Sequence, residues 1–170
     1  MYLRREGVTV MKTACALLVT CLTAASVSAS VDPPLDLVTR TRGATKVILA
    51  TVTDTEAAFG ENEYGDQLIL TQVTLEVNDT MKGAHEAGVV VTIEGGTIGD
   101  LTLDVSDMPK MTKGQRAVLF LTNTSSGAYV PYRRGSSVMK VEADDKVTGT
   151  GLTVDELRAA VKSAQAAGGR

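Results

Sequence analysis

Apolar and polar residues alternate through "QLILTQVTLEVNDTMKG": Ile69, Thr71, Val73, Leu75 and Val77 fall on one side, and Gln72, Thr74, Glu76 and Asn78 on the other. A period of two held over this length predicts a long strand with one face buried. The stretch "TKVILATVTDT" opens the β-rich series before it, and "GVVVTIEGG" follows, with Val89, Val91 and Ile93 inward. Between the two strands, Lys82 to Glu86 make a turn, so a β-hairpin is the simplest pairing. A short "LTLDV", a loop containing Pro109 and the run "QRAVLFL" come next. The last is apolar on both faces and is expected to run through the middle of a barrel or sheet. Tyr129–Arg133 and Ser137–Ala143 read as two further short strands.

Turn signals recurring every ten residues or so are the spacing of an all-β barrel or sandwich. The lead-in "LDLVTRTRGA" is too short to predict a helix, whereas the C-terminal segment meets every requirement. Thr153 and Glu156 are spaced as a capping box, and Leu152 and Leu157 as its hydrophobic staple. Leu157, Ala160, Val161 and Ala164 form an apolar stripe that is expected to dock on the β-domain, and Gly168-Gly169 stops the helix. The expected organisation is a leader over 1–29, a lead-in over 30–43, a barrel over 44–150 and a helix over 151–170 packed on the same domain.

The leader changes the picture most. Arg4, Arg5 and Lys12 precede an apolar run from Ala14 to Ala25, and Val27-Ser28-Ala29 supplies small residues before Ser30, the pattern of a secretory signal cleaved after Ala29. Met11-Lys12 offers a second possible start with the same mature end. Lipidation at Cys21 is the lesser alternative, because Thr20 is a poor match to the residue that a lipoprotein peptidase accepts. Cleavage after Ala29 removes Cys15 and Cys21, the two cysteines of the chain, so the mature protein is expected to hold neither a disulfide nor a thiolate metal site. It also removes net positive charge from a chain whose total is −3. The acidic balance, the lack of tryptophan and the 4 % aromatic content speak against nucleic acid, which small barrels grip with basic grooves and stacked rings.

Catalytic chemistry is thinly represented. The single histidine, His85, sits in a polar turn, and no serine occupies a G-x-S-x-G elbow. Asp100, Asp104 and Asp107 cluster near Pro109 but match no calcium loop, and they read as solvated acids. Gly95, Gly96 and Gly99 carry neither phosphate-binding spacing and lead into a strand pattern rather than a helix; they are expected at bends. Asn78-Asp79-Thr80 and Asn123-Thr124-Ser125 match the glycosylation rule by chance in a chain that looks bacterial. No catalytic residue, cofactor or metal is assigned.

"LTQVTLEVNDTMKG" followed by "VTIEGGTIGDLTLDVSDMPKMTKGQRAVLFL" resembles an uncharacterised group of secreted bacterial proteins. The shared features stand here at Lys82-Gly83, Gly95-Gly96, Pro109, Gly114 and Phe120-Leu121, and the resemblance spans residues 44 to 142. It implies an OB-like β-barrel of about five to seven strands, or a closed sandwich, with one C-terminal helix, similar to the inhibitor domains of tissue metalloproteinase inhibitors. Some members of that group stand beside secreted metalloprotease domains, which implies accessory work. Tissue inhibitors chelate zinc through an N-terminal cysteine that the mature chain is expected to lack, and Ala50-Thr51 stands where the group tends to have glycine. No functional residue is carried over.

The resulting expectation is a secreted or periplasmic non-enzymatic module that binds a protein, with a secreted protease as one form of partner and no integral membrane segment in the mature chain. Tyr64, in the loop "FGENEYGD" from Phe59 to Asp66, and Met108, in the loop from Asp104 to Lys113, are the expected contacts. A small-molecule or carbohydrate site at the barrel mouth, built from Tyr129, Tyr132 and Arg133, is the alternative; a hydrolase using His85 ranks below both.

Overall fold

The long strand at the start of the domain determines how the rest closes. In the computed structural model, which describes residues 37–167, β1 (Lys46–Glu61) pairs antiparallel with β2 (Gln67–Lys82) along nearly its whole length, and its first half also pairs with β6 (Arg116–Asn123). A single strand can serve both partners because register shifts near Val47, Leu49 and Val52 coil it. The strand β3 (Gly88–Glu94) forms the expected hairpin with β2, and β6 pairs antiparallel with β7 (Tyr129–Pro131). A parallel bridge between Val91 and Tyr129 joins β3 to β7 and completes the ring β1-β2-β3-β7-β6. This is an all-β, OB-like barrel. Between β3 and β6 the chain makes a small separate hairpin, β4 (Gly96–Ile98) and β5 (Leu101–Leu103), and β8 (Val138–Lys140) pairs with Ala117–Leu119 of β6, next to the stretch that β7 takes.

Two apolar layers follow from strand alternation. Ile48, Ala50, Val52, Val73, Leu75, Val91, Leu119 and Leu121 point into the barrel. Val47, Leu49, Val118 and Phe120 point the other way and are covered by Val154, Leu157 and Val161 of α2 (Val154–Ala167). The run "AVLFL" is therefore apolar on both faces because both are buried, each residue at 0 % exposure. The α2 capping box forms as expected: the backbone N–H of Thr153 donates to Glu156 Oε2 at 2.8 Å, and that of Glu156 to Thr153 Oγ1 at 3.3 Å. Arg158 pairs with Asp79 at 2.8 Å and Gln165 donates to the Met81 carbonyl at 3.0 Å, which ties the helix to the end of β2.

The lead-in contains a helix that local sequence does not announce, α1 (Leu37–Gly43). Seven residues cannot sustain a helix in water. Here the Lys82 ammonium donates to the carbonyls of Thr41 at 2.7 Å and Ala44 at 2.6 Å, capping the helix from a residue about forty positions away. Gly99 has a φ of +57° at the first centre of the two-residue β4–β5 turn, where a side chain is disfavoured. Gly96, at a φ of +143°, lets β4 lie against β2: a Cβ there would come within 2.5 Å of Thr71 Oγ1. These glycines thus bend and seat a hairpin. No helix among the described residues is long and apolar enough to cross a membrane. The expected signal over 1–29, the lipidation alternative at Cys21 and the Gly168-Gly169 stop lie outside the described residues.

Candidate functional site

The strands leave one sizeable concavity on the outer face of the barrel. Because directly paired residues share a face, the register places Ala58, Leu70 and Glu94 in one outward row and Glu56, Gln72 and Thr92 in the next. Val130 of β7 borders them, and the surface dips into a groove of about 480 Å³. Small residues make that dip: Ala58 and Gly60 on one side, and Ser125, Ser126 and Ala128 on the other.

Two turns wall the groove at one end, and side chains hold each of them. In the β1–β2 turn, Asn62 Oδ1 accepts the backbone N–H groups of Tyr64 at 3.0 Å and Asp66 at 2.9 Å, while its Nδ2 donates to Glu94 Oε1 at 3.0 Å. The turn is thereby fastened to β3. In the β6–β7 turn, Thr124 Oγ1 accepts the N–H of Ala128 at 3.1 Å and sits 2.8 Å from Ser126 Oγ. Glu94 also pairs with Arg134 at 3.0 Å, and Arg134 meets Asp107 as well. Two carboxylates around one guanidinium raise the Arg134 pKa, chiefly through the Asp107 hydrogen bond. Arg134 stands in the left-handed conformation at a φ of +68°, next to Arg133 at +51°.

A second cavity, of about 360 Å³, lies at the barrel mouth under the β4–β5 hairpin and the 104–111 loop. Thr55, Ala57 and Thr71 line it where the inward positions further along carry Val and Leu, and Met108 and Glu94 border both cavities.

The expected site residues scatter. Tyr64 is 74 % exposed at the tip of the β1–β2 turn, where the Glu63 carboxylate raises its hydroxyl pKa. The expected eight-residue loop around it is a correction: Phe59 to Glu61 pair with Gln67 to Ile69, so the loop shrinks to Asn62–Asp66. The 104–113 loop does lack strands, and it presents Met108 to both cavities. Tyr129 packs with the barrel interior, donates to Glu86 Oε1 at 3.1 Å and lies beneath the Lys46 ammonium, whereas Tyr132 packs with the outer layer beside Gly43. The two rings therefore do not converge, and neither they nor Arg133 line either cavity. His85 is exposed, with Nδ1 3.3 Å from Thr80 Oγ1. Asp104 pairs with Lys110 at 3.0 Å and Asp107 with Arg134, so two of the three clustered acids are ion-paired rather than only solvated. No group of three His, Cys, Asp or Glu among the described residues could hold a metal.

Sequence reasoning missed Asn62, Leu70 and Glu94 as site residues. The alternation of Asp54, Glu56, Ala58 and Gly60 was the available signal, since it marks a strand whose outer face turns from acidic to small. No family model and no curated protein matches this chain.

Proposed function

We propose that this is an extracytoplasmic, non-enzymatic binding module whose outer groove receives a segment of another protein. One observation carries the reading: a concavity floored by small residues on rigid strands, bordered by two turns that their own side chains lock. OB barrels bind ligands on this face, over the second and third strands and between the flanking loops. A preformed site on a rigid scaffold loses little entropy on binding. The secretory leader and the resemblance to tissue-inhibitor domains support an accessory role beside a secreted protease, with inhibition by steric occlusion as one form of it.

The test compares the purified protein with Ala58→Trp, which fills the groove, and with Lys162→Trp on the exposed side of α2. A partner recovered from the host's secreted fraction should lose at least about tenfold in affinity to the first variant and keep its affinity for the second. Equal affinity for all three forms would move the docking surface elsewhere. Turnover of a secreted protease, measured with and without the module, would then separate inhibition from simple attachment.

The mouth cavity favours a second reading, a small-molecule site lined by threonine hydroxyls and methionines. Filling it with Ala57→Leu should abolish any ligand-induced rise in melting temperature; a rise that persists would remove the cavity from consideration.

A further inference from the structure

We infer that the segment received by the groove runs on across the adjoining outer sheet face as an extended, basic stretch of the partner, with Lys or Arg at alternate positions. This rests on the groove reading above and names the chemistry of its occupant. Across 54–60 of β1, 68–76 of β2 and 88–94 of β3, the register sends Asp54, Glu56, Glu76 and Glu94 to the outer face. No Lys, Arg or His stands at any position of those three spans. Glu94 lines the groove beside Arg134, to which it is paired, whereas Asp54, Glu56 and Glu76 stand outside the groove's lining, on the sheet face that continues from it, and meet no cation among the described residues.

A sheet face usually intersperses both signs, because unpaired like charges repel one another. This face does not, and its apolar positions, Leu70 and the 47 % exposed Val90, run beside the acids. The combination fits a chain that offers cations and aliphatic stems together, as lysine and arginine do. Spacing narrows it further. Asp54 and Glu56 are two residues apart on one strand, roughly 7 Å, and alternate side chains of an extended partner repeat at the same interval. A polyanion is repelled from the same surface, which removes the oligonucleotides that other OB barrels take here.

Labelled peptides of about ten residues, enough to span the groove, would be titrated by fluorescence anisotropy against the full-length protein. One carries Lys at alternate positions in a Ser/Thr/Val background, one has the same composition with its lysines contiguous, and one has Glu in place of Lys. The alternating peptide should bind at least about tenfold more tightly than the Glu peptide and weaken as salt rises. It should lose about fivefold or more to the double variant Asp54→Asn/Glu56→Gln, whose substitutions are exposed, and to Ala58→Trp. Circular dichroism of each variant confirms that the barrel is intact.

If Ala58→Trp blocks all three peptides and charge makes no difference, the groove stands and the basic partner is overturned. Equal binding of the alternating and contiguous peptides overturns the strand-spaced match. Binding unaffected by both variants places the attraction elsewhere and overturns the groove together with its occupant. A soluble amino-sugar oligomer that displaces the peptide from the groove and itself binds more tightly would overturn it in favour of a carbohydrate.

Discussion

Lys46 is 3 % exposed, and its ammonium is satisfied by the Ala84 carbonyl at 2.6 Å and Glu86 Oε1 at 2.7 Å, with Tyr129 donating to the same carboxylate. The Lys46 hydrogen bond holds the Glu86 pKa below its ordinary 4.5. A depressed carboxyl pKa contributes stability that is present above the unfolded value and lost as pH falls through the folded one. Asp144, beside Lys146, and Glu156, in the capping box, are lowered in the same direction. The melting temperature should therefore drop as pH falls below about 4.5, and Glu86→Gln should flatten part of that drop; melts of both forms between about pH 3 and 6 check it. Gly96→Ala should destabilise by about 1–3 kcal/mol, through the close approach to Thr71 and the positive φ. Chemical denaturation would show it, and adding Thr71→Ala should restore only the steric part. The Lys46–Glu86–Tyr129 cluster was not legible in the sequence, where Lys46 is one charged residue at the start of an apolar run.

Elements divide according to whether their causes are local. The capping box of α2 was legible because Thr153 and Glu156 act within one turn, and Thr153→Ala should cost about 1 kcal/mol in urea melts. Leu157→Ala should cost about 2–5 kcal/mol, because it opens a cavity between α2 and the barrel. α1 was not legible, since its C-terminal carbonyls are capped by Lys82 from β2. Lys82→Met should release about 1–3 kcal/mol of that stabilisation and raise hydrogen exchange selectively across residues 37–43. That lysine belongs to the Lys82-Gly83 pair that stood out in the sequence, and its contacts here are structural.

At the scale of the molecule, the barrel holds because one coiled strand serves two partners and because Tyr129 meets Val91 across the seam. The groove is a consequence of that closure: it draws on β1, β2, β3, β7 and two turns whose side chains reach across between elements. The expected convergence of Tyr129 and Tyr132 did not arise, because β7 ends at Pro131 and the turn after it carries Tyr132 to the outer apolar layer, whereas Tyr129 packs with the inner one. By itself, the sequence determined the β-rich class, the β2–β3 hairpin, the doubly buried β6 and the capped C-terminal helix. Periodicity and capping act over a few residues, so the local chain carries them in full. Only the tertiary structure decided ring closure, the short turn around Tyr64, the seating of Gly96 and the groove with its adjoining acidic face. Each depends on which residues of distant strands lie opposite one another, and a one-residue shift in that register would turn Asp54, Glu56 and Leu70 to the other face.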